Sequence, residues 1–255
     1  MVRRRLFHHV SQSNFNYRGK EVFRIEALSD AVFAFSVSLL VASLEVPKSF
    51  EELKEIAAGA LPFFATVAMI FLFWYRQYIF FRRYGLNDFT TIVLNLVYLS
   101  VILYYVYPLK FLFSILLSYW SGIDFSPGNN EKNLAFLSGE EFPQLIILFS
   151  IGYFLIWTVI FLSYYHVLRR KGHFNFTAYE LNFTKKEESG ALYNAIIGML
   201  AFAFAWFHQQ LFASLCYILI PVIMIINERR FRRGLSINKT AGEKQSRRIT
   251  SKTIQ

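Results

Sequence analysis

Along the 255 residues, long apolar runs alternate with short polar connections. A helix that crosses a membrane needs about 20 mainly apolar residues. Six runs meet that requirement, at roughly 25–45, 57–81, 90–118, 143–168, 190–206 and 209–227. The fifth is short and its boundaries are soft. The pattern predicts an all-α integral membrane protein with six transmembrane helices per subunit. An amino-terminal segment, 1–23, precedes the six-helix domain, 24–233, and a polar tail expected to be disordered, 234–255, follows it.

Composition agrees with lipid as the main solvent: 55% of residues are hydrophobic and only 17% charged, with a mean hydropathy of +0.36. The net charge of +10 would suit a nucleic-acid binder if it formed one patch. It lies instead at helix ends. Of the 27 basic residues, 22 fall in one alternate set of connections: the amino-terminal segment, Arg82 and Arg83, the stretch from Arg169 to Lys186, and the tail from Arg229. The opposite set holds eight acids, among them Glu51, Glu52 and Glu55, against Lys48, Lys54 and Lys132. Basic residues stay on the cytoplasmic side, so both termini are expected there, in a multi-pass protein of the cell membrane. The basic flanks suit anionic lipid rather than nucleic acid.

Candidate chemistry elsewhere is sparse. Cys216 stands alone in an apolar run, which excludes disulfides within the chain and thiolate metal sites. None of His8, His9, His166, His173 and His208 has an acid or cysteine at ligand spacing, and no hydrolase, zincin or nucleotide-binding fingerprint occurs. The sequence therefore predicts neither an enzyme nor a cofactor. SPGNN, Ser126 to Asn130, is turn chemistry in an outer connection.

The first span differs from the others, because RIEALSDAVFAFSVSLLVASLEV opens with Arg24, Glu26, Ser29 and Asp30. Charged groups inside a span cost about 2.5–3.5 kcal/mol each at the helix centre and find partners or water. Ser29 and Asp30 could cap a helix that begins at Ala31. The alternative, a continuous helix with a polar cluster, is favoured, since RIEALS contains good helix formers and no breaker. Arg76, in FLFWYRQYIFF, is expected to snorkel toward water or to pair with a carboxylate such as Asp30.

Arg24, Ser29 and Asp30, spaced Arg-x-x-x-Leu-Ser-Asp and followed by Ala-Val-Phe-Ala, resemble the signature of the transmembrane protein 175 family of lysosomal and endosomal potassium channels and their prokaryotic relatives. Leu28 stands where the family pattern has Phe. FLFWYRQYIFFRRY, Phe71 to Tyr84, and NDFTTIVLNLVYLSVILYYVYPL, Asn87 to Leu109, resemble the family as well. The former has Gln77 and Tyr78 where many relatives carry a histidine. The resemblance implies a homotetramer in which the first helix of each subunit lines a central pore for potassium, with Arg24, Leu28, Ser29 and Asp30 supporting that helix. It also places a constriction of large apolar side chains five positions after the motif Asp, at Phe35.

At 100° per residue, Phe35, Ser38, Leu39 and Ala42 share one stripe, and Asp30 lies about 140° from Phe35. The carboxylate would then point into protein while the stripe faces the axis. Arg24 returns to nearly the same face as Phe35, so it either bends inward to Asp30 or lines the pore entry. With no TVGYG-like filter in the chain, selectivity would depend on pore width and the Ser38 hydroxyls, favouring potassium over sodium modestly. Two rivals remain: a secondary transporter or proton-coupled exchanger using Asp30, which the absence of Gly and Pro from the first span disfavours, and a scaffold that conducts nothing.

Overall fold

The computed structural model describes residues 15–42, 47–121 and 141–253. Helices α1 (Arg24–Ala42), α2 (Phe50–Ala58), α3 (Ala60–Tyr84), α4 (Phe89–Ser121), α5 (Glu141–Arg169), α6 (Ala178–Trp206) and α7 (Gln210–Thr253) follow in order, with one 3-10 turn at Lys171–His173. All but the short α2 are long and apolar enough to cross a membrane. His8, His9, SPGNN and the acids Asp124, Glu131 and Glu140 of that outer connection lie outside the described residues.

The first helix is continuous from Arg24 through Ser29 and Asp30. Its start is capped by Glu26, whose Oε1 accepts the Phe23 backbone N–H at 3.0 Å. A helix beginning at Ala31 is thereby excluded.

The fifth span is longer than its apolar run, starting at Ala178 rather than near 190. Thr177 and Glu180 form a reciprocal capping box there, with Thr177 Oγ1 accepting the Glu180 N–H at 3.2 Å and Glu180 Oε2 accepting the Thr177 N–H at 2.9 Å. The polar half of α6 thus continues the helix beyond the apolar run. Helix α7 likewise runs on to Thr253, over residues expected to be disordered; no proline follows Pro221 to interrupt its hydrogen-bond ladder.

Two sub-bundles share a wall. α1 packs on α3 and α4, α6 packs on α5 and α7, and the α4–α5 contact joins the two sets. The core along that wall includes Phe33, Leu40, Ile70, Ile102, Tyr105, Phe149 and Ile156. Apolar side chains gain little by leaving lipid for one another, so close packing and hydrogen bonds hold such helices together. Small residues let α5 and α6 approach: a Cβ on Gly198 would come within 3.0 Å of the Phe154 backbone nitrogen. Gly152 of α5 admits the Tyr105 ring of α4, which a Cβ would overlap. The Tyr105 hydroxyl then donates to the Phe149 carbonyl.

At the basic end of the bundle, the segment before α1 is tied to the other helices. Arg18 forms a bidentate pair with Glu180, at 3.0 and 3.1 Å, and lies over the Phe176 ring. Glu180 is wholly buried, and Asn16 N–H donates to it at 2.7 Å, so its charge is met from several sides. Gly85 ends α3 in the left-handed region, at φ 59°.

Replacing Gly152 with Ala should lower thermal stability in detergent by roughly 1–3 kcal/mol, as overpacking against Tyr105 does. An unchanged melting curve would contradict this packing.

Candidate functional site

The surface of α1 is divided. Ile25, Ser29, Phe33, Ser36 and Leu40 are buried against the rest of the subunit. They recur at helical spacing and centre near Ser29, about 120° around the helix from Phe35. Phe35 is 55% exposed and Leu28 45% exposed; Ser38 and Ala42 are exposed as well, and Leu39 is half-buried at the edge. Apart from Leu39, the stripe read from the sequence lies within the wider part of α1 that its own subunit leaves uncovered. Ala27, Ala31 and Ala34 belong to the same open sector, with the larger Leu28 and Val41; Ser38 lies at its centre and Phe35, the largest apolar side chain in it, about 60° to one side.

What holds the buried face is a chain of polar groups. Ser29 is wholly buried; its hydroxyl donates to the Ile25 carbonyl at 2.7 Å and accepts from Asn95 Nδ2 at 2.9 Å. Asn95 Oδ1 in turn accepts from Gln77 Nε2 at 2.9 Å. One residue from each of α1, α4 and α3 thus meets in a linked row, every link between buried groups.

Asp30 lies beside this row. Its Oδ1 accepts the Trp74 indole N–H at 2.7 Å, fixing the carboxylate toward α3 and away from Phe35. Trp74 and Gln77, three residues apart, present one face of α3 to α1 and α4, and the Trp74 ring stacks on Tyr78 at 5.6 Å.

The two arginines fall elsewhere. Arg24 has no hydrogen bond or ion pair among the described residues; it is exposed and does not reach Asp30. Arg76 does not pair with Asp30 either. Its Nη2 meets Glu187 Oε2 of α6 at 3.1 Å, and its guanidinium lies 4.8 Å from the Trp157 ring centre. The sequence suggested snorkelling or pairing with a carboxylate such as Asp30; the longer α6 supplies Glu187 as that carboxylate. Trp74 and Asn95 were missed as site residues, although an amide inside the apolar run TTIVLNLVYLS signals a buried partner.

The start of α4, two turns before Asn95, is pinned by Asp88. It accepts from Thr91 Oγ1 at 2.7 Å, meets His166 Nε2 at 2.9 Å and lies 3.6 Å from Arg170 Nη1. Burial raises the Asp88 carboxyl pKa, but the Thr91 hydroxyl, the His166 ring and the Arg170 charge outweigh it and hold the group below its ordinary value.

Residues 24–105 match the family model described as endosomal/lysosomal potassium channel TMEM175. A protein of Marivirga tractuosa named as a potassium channel is 35% identical over 219 residues, spanning 84% of this chain and 89% of the relative. The chain belongs to the TMEM175 family. Its fold also matches the crystal structure of the potassium channel MtTMEM175, solved as a threonine-to-alanine variant in complex with a nanobody–MBP fusion protein. That match has a TM-score of 0.75 at 33% identity and covers 87% of this chain and 98% of the other. The whole Ser29–Asn95–Gln77 row and the Asp30–Trp74 bond fall inside the segment matched by the TMEM175 model.

Asn95→Leu should leave Ser29 and Gln77 short of partners and destabilise the protein by about 1–3 kcal/mol. In a double-mutant cycle with Ser29→Ala, coupling of about 0.6 kcal/mol is expected, the average for such bonds between membrane helices; strictly additive losses would show that the bond carries nothing.

A carboxyl with a depressed folded-state pKa stabilises the fold above its unfolded pKa, about 3.9 for Asp, and loses that effect as pH falls through the folded value. Asp88→Asn should therefore be less stable than the parent at neutral pH, with the gap closing on acidification below about pH 3.9. A gap independent of pH would contradict the ion-pair account.

Proposed function

We propose that this chain is the subunit of a potassium-permeable channel, a homotetramer in which α1 of each subunit lines a central pathway. The observation that carries this reading is the divided surface of α1: one face is held by the Ser29–Asn95–Gln77 row, and the other, with Phe35, Ser38 and Ala42, is left open by its own subunit. Similarity to proteins named as potassium channels, over most of both chains, supplies the ion.

The composition of the open sector fits helices gathered around an axis. Ala31, Ala34, Ser38 and Ala42 are small and permit close approach. Phe35 is the bulky group beside them, and four such rings would make a constriction that excludes water when narrow. Ser38 donates to the Ala34 carbonyl at 3.1 Å, leaving its oxygen lone pairs to meet a partly dehydrated ion. Asp30 is held by Trp74 and acts in this reading as support for α1, with Ser29; Leu28 and Arg24, on the face of Phe35, lie toward the pore entry. No cofactor enters the account, and the basic end, with both termini, faces the cytoplasm by its charge.

A secondary transporter that titrates Asp30 fits less well. Such proteins bind at helices broken near mid-membrane, whereas α1 is unbroken from Arg24 to Ala42.

Potassium flux into proteoliposomes under an imposed diffusion potential tests the reading. Flux that follows the electrochemical gradient and rises several-fold in Phe35→Ala is expected. A requirement for a proton or sodium gradient, or unchanged flux in Phe35→Ala with assembly intact, would contradict it. Ser38→Ala should lower the potassium-to-sodium preference measured from reversal potentials, and an unaltered ratio would remove Ser38 from the pathway.

A further inference from the structure

Between the polar half of α6, the 3-10 turn and α7 lies a cavity of about 500 Å³ at the basic end of the bundle. Lys171, Lys185 and Arg230 line it, with Asn182 and Tyr193 beside them; Glu188 is the acid in the wall. Lys186 also borders it, but its charge is taken up by Glu228 at 2.6 Å. The other three cations form no salt bridge among the described residues, although Glu188 lies close enough to Lys185 for their charges to interact. Arg230 donates to the Tyr193 hydroxyl at 3.3 Å.

The floor of the cavity is built rather than incidental. Asn227 of α7 donates to the Lys186 carbonyl at 2.9 Å and accepts from Ser189 Oγ at 3.1 Å, locking α7 against α6 directly below. A Cβ on Gly190 would come within 3.0 Å of Asn227 Nδ2, so a small residue is required where the helices meet. Leu168, Leu181 and Phe231 add apolar walls to the cationic ones. These walls stand where the apolar runs of α5 and α7 give way to basic residues, which is the depth of lipid headgroups.

We propose that this cavity binds the phosphate-bearing headgroup of an anionic membrane lipid. Lys171, Lys185 and Arg230 would meet the phosphate, Asn182 and Tyr193 offer hydrogen bonds to the rest of the headgroup, and the apolar walls receive the start of the acyl chains. Three cations facing one acid, Glu188, leave the cleft with an excess of positive charge, and a cleft with low-dielectric walls attracts an anion more strongly than the same charges spread on a flat surface. A lipid also suits the mixed lining better than a free phosphate, which has no use for Leu168, Leu181 and Phe231. The inference rests on the six-span membrane arrangement and not on ion conduction.

Native mass spectrometry of the purified full chain with dioctanoyl phosphatidylglycerol and dioctanoyl phosphatidylcholine tests it. The parent should bind phosphatidylglycerol in preference. Lys171→Gln with Lys185→Gln should weaken that binding roughly thirtyfold, given the usual contribution of a basic residue near an anionic headgroup. A control that removes two basic residues outside the cavity, Lys20→Gln with Arg169→Gln, should leave it nearly unchanged. Equal losses in the two double variants, or no loss in either, would overturn the proposal in favour of diffuse surface attraction. Displacement of the lipid by millimolar inorganic phosphate, with loss of that competition in Lys171→Gln with Lys185→Gln, would make the occupant a free anion and overturn the lipid assignment. Binding is read without any flux, so failure here is separate from failure of the channel reading.

Discussion

A hydroxyl and two carboxamides buried among apolar helices cost several kcal/mol each if left unpaired, so they bond to one another. Ser29, Asn95 and Gln77 do so in a single row, and the row fixes the rotation of α1 about its own axis. Turning α1 by one residue, 100°, would carry Ser29 away from Asn95 and bring different side chains to the open sector. Apolar packing alone sets such a rotation poorly, since lipid and protein interior are nearly equivalent solvents for a leucine or a phenylalanine. The polar row supplies the specificity that Phe33 and Leu40 cannot.

From that rotation follows the placement of everything else on α1. With Ser29 turned inward, Asp30 falls at the edge where the Trp74 indole reaches it, and Phe35, Ser38 and Ala42 are left open. Small residues around Phe35 then allow α1 helices of several subunits to gather, which is the basis of the proposed pathway. The two arginines of this region serve other purposes: Arg76 ties α3 to α6 through Glu187, and Arg24, exposed at the helix start, has no partner among the described residues.

Much of this was legible in the sequence, for identifiable reasons. Apolar runs bounded by charge revealed the spans, and helical periodicity separated Asp30 from Phe35 without any coordinates. The resemblance carried by Arg24, Ser29 and Asp30 agrees with the family that the whole chain joins. What escaped was contact between distant segments. Periodicity says which face a residue occupies but not which helix comes to meet it, so Trp74 and Asn95 went without roles and Arg76 was offered the wrong carboxylate. The start of α6 escaped for another reason: hydropathy registers the membrane, not the helix, and TKKEES is polar yet fully helical once Thr177 and Glu180 cap it.

Cysteine accessibility along α1 tests the central claim, that the face opposite the polar row borders the ion pathway. In a Cys216→Ala background, a charged thiol reagent applied during potassium flux into proteoliposomes should block Ser38→Cys and Ala42→Cys while leaving Phe33→Cys and Leu40→Cys untouched. Block at Phe33 or Leu40 with none at Ser38 and Ala42 would mean that α1 presents the other face to water, and the account would be wrong.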